Sequence, residues 1–202
     1  MSIVFYWHPM SSASPIASAL FELGVPHERV KIDIHAGEQH RAEFLALNPN
    51  GKVPTLTVDG APMFETLAIH FWLAEQYGVA RGLWPQAGTA ERLQAMSWCA
   101  WAYVTYGAVL VRLHAATQGD VALRSETHAA AAQGGLDELL ALLDARLAVQ
   151  PWMLGADYSL VDLVVGSVIG YSAFLKAPVH KHLHVSAWLA RVQARPSMQI
   201  QG

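Results

Sequence analysis

The hydrophobic pattern of this chain changes period near residue 78, and that change constrains the fold more than any other feature of it. Before it, short β-branched and aromatic runs alternate with stretches of helical period; from Ala90 on, no strand pattern survives. Ile3-Val4-Phe5-Tyr6-Trp7 reads as a strand. Pro15 to Leu23 places Ile16, Ala17, Leu20, Phe21 and Leu23 at helical spacing, and Gly24 closes it. Val30, Ile32 and Ile34 alternate with Lys31 and Asp33 as a second strand. Arg41 to Leu47 is a short helical piece stopped by Pro49. Thr55 to Val58 is a third strand, Asp59-Gly60 is a hairpin turn, and Pro62-Met63-Phe64 returns antiparallel. Thr66 to Tyr77 is a helix ended by Gly78.

The order β-α-β-α-β-β-α is the thioredoxin-like arrangement, with a parallel unit first and a hairpin closing the sheet. The fold class expected is therefore α/β plus all-α. Residues 1–77 form the thioredoxin-like domain, 78–89 a linker carrying Gly82, Pro85 and Gly88, and 90–202 a helical domain. Four helical patterns fill that second half: Ala90 to Gln118, Ser125 to Val149, a helix opened by Ser159-Leu-Val-Asp162, and Val185 to Ala194 stopped at Pro196. Gly134-Gly135 marks a kink or a helix start inside the second pattern.

Composition narrows the function classes. Of 202 residues 53% are apolar and 14% charged, which supports a large core and argues against disorder. The net charge of −3 and the isoelectric point near 6.3 give no electrostatic footprint for nucleic acid or anionic membranes. Cys99 is the single cysteine, so no internal disulfide can form and a reducing compartment fits. The N-terminus has no basic region or cleavage pattern of a signal peptide, and no apolar run reaches membrane-spanning length. A soluble cytoplasmic protein is expected. The histidines of His180-Lys-His-Leu-His184 have no companion acidic or cysteine cluster, so no metal is expected.

The run Asn48-Pro-Asn-Gly-Lys-Val-Pro-Thr-Leu56 is unusual ahead of a strand, because proline gives no N–H to a sheet. A cis bond before Pro54 would turn the Val53 N–H and C=O outward, free to pair with an extended peptide as an added strand. Glu65-Thr66 falls where a helix begins; free N–H groups there suit a carboxylate and Glu65 an ammonium. His40, Arg41 and Lys52 are cations for a second carboxylate. A ligand with an amino-acid end, a peptide middle and a distal carboxylate describes glutathione. Ser11 and Ser12, at the start of the first helix, are placed to hydrogen-bond a thiolate there. Lowering a thiol of pKa ~8.5 by two units takes ~2.7 kcal/mol, within reach of a charge-assisted bond and a helix terminus.

Several stretches carry a family resemblance along the whole chain: FYWHPMSS, ALFELGVPHERVKID, GEQHRAEFLALNPNGKVPTL, FETLAIHFWLAEQYG, LWP, PWMLGADYSLVDL and WLARVQARP. The chain resembles a cytosolic glutathione S-transferase of the serine type, phi-like or bacterial. The resemblance implies that Ser11 activates glutathione, with Ser12 second and Tyr6 the rival. It implies that Glu65 and Thr66 bind the γ-glutamyl end, Val53-Pro54 the cysteinyl backbone, and His40, Arg41 and Lys52 the glycyl carboxylate. It implies a homodimer, with glutathione as co-substrate. Ser159 and Asp162 match the family's helix-capping box.

A thiolate so held would attack a hydrophobic electrophile, or reduce a peroxide, in an apolar pocket of the helical domain walled in part by Met10, Tyr106 and His114. Departures from the pattern include Pro15 in place of a basic residue, Asn50 in place of phenylalanine or glycine, and Thr66 in place of serine. No cysteine stands near Ser12, which argues against thiol–disulfide chemistry through the protein. The alternatives are a non-catalytic binding module of the same fold, or a glutathione-dependent isomerase, dehalogenase or ether-cleaving enzyme.

Overall fold

The computed structural model describes residues 1–200 and divides into two compact units, Met1–Leu83 with the segment from Pro196 onward, and Trp84–Arg195. In the first unit β1 (Ile3–Trp7), β2 (Glu28–Lys31), β3 (Thr55–Val58) and β4 (Ala61–Phe64) form one sheet in the order β2-β1-β3-β4. β2 runs parallel to β1, with Tyr6 opposite Val30. β3 runs antiparallel, with Tyr6 opposite Thr55, and β4 pairs Phe64 with Thr55. This is the thioredoxin-like sheet that the alternating pattern implied.

The helices follow from their apolar faces. α1 (Ser14–Glu22) has proline in its first turn, where a missing N–H costs nothing, and buries Ile16, Ala17 and Leu20. α2 (Ala42–Leu45) is a single turn that inserts Phe44. α3 (Thr66–Leu73) buries Ile69 and Leu73 and then widens into a π-helical turn over Ala74–Gly78. Phe5, Leu56 and these side chains make up the core of the unit.

The second strand departs from expectation. It closes at Lys31 instead of running on through Ile34. Ile32 makes one more sheet-like bond, its N–H donating to Trp7 O at 2.9 Å. The Asp33 carboxylate then accepts the N–H groups of His35 (3.0 Å) and Ala36 (3.1 Å) and turns the chain away. Those bonds, the Ala36 N–H foremost, hold the Asp33 carboxyl below its ordinary range.

The second unit is helical. α4 (Ala90–Ala100) is capped by the Thr89 hydroxyl, which accepts from the Arg92 N–H at 3.2 Å. The path continues through π-helical turns at Trp101–Tyr106 into α5 (Gly107–Thr117), so the long pattern is continuous but not uniform. There Trp101 lies 5.3 Å from Trp98 and 5.6 Å from Tyr106, ring to ring. α6 (Glu126–Leu147) runs unbroken past Gly134 and Gly135, because a Cβ-free surface suits the contact of Gly135 with Val109 and tertiary packing outweighs propensity.

α7 (Leu160–Phe174) and α8 (Leu183–Gln193) complete the unit. Pro196 does not only end α8; it opens a short helix, α9 (Pro196–Gln199), which packs on α1. The box at Ser159 and Asp162 forms, and Asp162 does more than cap. Its fully buried carboxylate accepts from Ser159 N–H (2.9 Å), Met153 N–H (2.8 Å) and Trp188 Nε1 (2.9 Å). Burial nonetheless raises its carboxyl above the usual range, the hydrogen bonds opposing. No helix of the described residues is long and apolar enough to cross a membrane.

Candidate functional site

The Asn48–Leu56 stretch resolves into a turn organised by one buried side chain. Asn48 donates through Nδ2 to Lys52 O (2.7 Å) and Thr55 Oγ1 (3.1 Å), while its Oδ1 accepts the Asn50 N–H (3.0 Å). Gly51 sits at φ +59, and a Cβ there would lie 3.0 Å from the His40 ring. Only glycine fits both the angle and that approach. The turn delivers Val53 to the head of β3 with a cis bond to Pro54. Asn48 was not singled out by sequence reasoning; its Asn-Pro dipeptide marked a turn but not that the side chain would be interior.

Three segments distant in sequence meet at Ser12. Its hydroxyl donates to Val53 O at 2.8 Å, and its own carbonyl accepts from Thr66 Oγ1 at 3.3 Å. The turn before α1, the cis-proline turn and the first residue of α3 are thus tied together. This corrects the expectation that both Val53 main-chain groups face outward free: the carbonyl is taken, and Val53 is 8% exposed. Thr66 is buried, and its hydroxyl is spent on Ser12. The first N–H groups of α3 remain the donors available to an anion.

Ser11 has a different setting. Its hydroxyl donates to His8 O at 2.6 Å and accepts the Ala13 N–H at 3.1 Å. The His8 ring, in turn, bonds Ile32 O through Nδ1 at 2.8 Å. Glu65, just before α3, is exposed and holds φ +72, a conformation that a side chain adopts only under constraint. Met10 holds φ +52 beside the serines and is 95% exposed.

Of the three cations, His40 packs against Gly51 and Lys52 is exposed on the same turn. Arg41 is paired with Glu38 at 3.1 Å across an exposed turn. Tyr6 packs edge-on to Phe44 at 6.0 Å, from the middle of the sheet. In the helical unit Tyr106 is fully buried, bonded to Ser172 Oγ at 2.7 Å, with burial pushing its phenol up to about 12. It is packed in the core of the unit, within the π-helical turns. His114 is exposed on α5. Among the described residues no group of three or more His, Cys, Asp or Glu is placed to hold a metal.

A four-stranded thioredoxin-like sheet with the Val53-Pro54 turn beside the starts of α1 and α3, followed by a helical unit, defines one structural class of two-part proteins. Known proteins give that class its family. Residues 1–75 match the model for the glutathione S-transferase N-terminal domain, and residues 99–196 that for the C-terminal domain. The chain is 31% identical over 205 residues to glutathione S-transferase hmp2 of Hypomyces subiculosus, covering 96% of this chain and 95% of that one. It is 30% identical to glutathione S-transferase GstB of Escherichia coli K12, over 94% and 91% of the two chains.

Among solved structures, the theta class glutathione S-transferase from the citrus canker pathogen Xanthomonas axonopodis pv. citri, with glutathione bound, is 33% identical with a TM-score of 0.83. That match covers 98% of this chain and 95% of the other. The chain belongs to the glutathione S-transferase family of enzymes.

Proposed function

We propose that the protein binds glutathione in the N-terminal unit, lowers the pKa of its thiol, and transfers the thiolate to a hydrophobic electrophile or uses it to reduce a peroxide. The meeting of the α1 turn, the Val53-Pro54 turn and the α3 N-terminus at Ser12 carries this reading. In it, the cysteinyl backbone pairs with Val53, the α-carboxylate takes the first N–H groups of α3, and Glu65 faces the α-ammonium. Its strained backbone is consistent with a residue held for a ligand. His40 and Lys52 take the glycyl carboxylate; Arg41 joins them on leaving Glu38. The protein works in the cytoplasm as a homodimer.

Ser11 is the thiolate donor in this reading and Ser12 the positioning residue. Ser11 Oγ accepts the Ala13 N–H, which polarises its own O–H; swinging that proton from His8 O to a thiolate keeps the chain of donors intact. Ser12 cannot swing without releasing Val53. The thiolate then forms a carbon–sulfur bond as the leaving group departs. The thiol proton goes to solvent on binding.

Calorimetric titration with glutathione in buffers of different ionisation heat tests this. Wild type should bind and release a proton near neutral pH. Ser11→Ala should bind without release, Ser12→Ala should bind more weakly but still release, and Glu65→Ala should lose most affinity. No heat and no competition at millimolar glutathione in wild type would sink the reading and leave a binding module for protein partners.

A further inference from the structure

The parallel pairing of β1 with β2 carries on one step past both strands and then meets a proline. The Ile32 N–H donates to Trp7 O at 2.9 Å, just beyond the pair that sets Trp7 against Lys31. A regular parallel ladder would next give the Ile32 carbonyl the N–H of the second residue after Trp7. That residue is Pro9, which has no N–H to give. The His8 ring fills the place, with Nδ1 2.8 Å from Ile32 O. A carbonyl only accepts, so Nδ1 is the protonated ring nitrogen and donates. A side chain thus satisfies the main-chain acceptor that the proline leaves open.

The same residue holds Ser11. The Ser11 hydroxyl donates to His8 O at 2.6 Å and accepts the Ala13 N–H at 3.1 Å. Between them Pro9 adds no donor and Met10 stands at φ +52. The set of the His8 carbonyl therefore depends on how His8 itself is anchored. Its ring is held at Nδ1 by Ile32 and packed T-shaped against His35, 5.4 Å between centroids. The end of the β1–β2 ladder is in this way coupled, through one residue, to the direction in which Ser11 Oγ lies.

Resting on the glutathione reading above, we propose that His8 is a second positioning residue for thiol activation: by replacing the ladder bond that Pro9 lacks, its ring fixes the carbonyl that aims the Ser11 hydroxyl. His8 touches no part of glutathione in that reading and acts only through Ser11. Its Nδ1 keeps a proton whether the ring is neutral or charged, so the anchor holds in both states.

A pH titration of the glutathione complex, following the ultraviolet absorbance of the thiolate, tests this beside calorimetric affinity. His8→Leu should keep glutathione affinity within about twofold, because Val53, Glu65 and the first N–H groups of α3 are untouched, yet raise the bound thiol's pKa by about one unit, a roughly tenfold smaller thiolate fraction near neutral pH. His8→Asn, whose amide nitrogen stands where Nδ1 does and can donate, should keep the wild-type value. Adding Pro9→Ala to His8→Leu returns a main-chain N–H to Ile32 O and should bring the pKa back. Circular dichroism checks the fold; if His8→Leu does not hold it, the His8→Asn and doubly substituted proteins must still ionise the thiol as wild type does. An unchanged thiol pKa in folded His8→Leu overturns the proposal and leaves the glutathione reading standing. A raised pKa that neither His8→Asn nor Pro9→Ala corrects overturns it too. Wild type that binds glutathione without ionising its thiol near neutral pH sinks both.

Discussion

His70 is the residue whose chemistry is most at odds with its place. It lies in α3 with its ring enclosed, and Nε2 has no hydrogen-bond partner among the described residues. Burial pulls its pKa down to about 3. In the unfolded chain it titrates near ~6.5, so below that pH the unfolded state takes up a proton that the fold refuses. The stability it contributes is complete above pH ~6.5 and drains as the pH falls from there toward about 3, by up to ~1.4 kcal/mol per unit. His70→Leu, apolar and of similar reach, should flatten that dependence. Urea midpoints at pH 7 and pH 5 measure it; parallel losses in wild type and variant would mean that the ring takes up its proton within the fold.

At the scale of elements, the turn from Asn48 to Pro54 shows how a local signal and a tertiary demand coincide. Gly51 meets two conditions at once, φ +59 and an approach that would put a Cβ 3.0 Å from His40 Nδ1 and 3.1 Å from Gln39 O. Gly60, at φ +85 in the hairpin, meets only the first, with nothing within 4 Å of a Cβ. Gly60→Ala should therefore cost about 1 kcal/mol and Gly51→Ala about 2–3 kcal/mol. Denaturant unfolding of the two variants side by side checks this; equal losses would show that the His40 ring simply moves aside. The Asn-Pro and Asn-Gly dipeptides announce the turn in the sequence, but the inward set of the Asn48 side chain follows from unpaired groups at Lys52 and Thr55 that only the folded turn presents.

At the scale of the whole molecule, each unit has its own core, and Cys99 reports on one of them. Its thiol is fully buried in α4, and burial pushes its pKa up. A disulfide reagent should leave the native protein unmodified and label one thiol per chain at the rate at which the helical unit opens. Fast stoichiometric labelling in native buffer would show that α4 is exposed.

The sequence alone determined most of the elements, the hairpin and the change of character between the two parts of the chain. Period-two and period-3.6 patterns, with glycine and proline stops, are local properties that each segment carries before it packs. It also marked Ser11, Ser12, Val53, Thr66 and Glu65 as residues of interest. Tertiary structure decided what their polar groups do. Ser12 reaches Val53 across 41 positions and Thr66 across 54, and nothing local encodes such a meeting. The inward turn of Tyr106 and the donors gathered on Asp162 have the same origin. A buried hydroxyl or carboxylate takes whichever partners the fold brings near, because leaving it unpaired away from water costs more than any local preference returns.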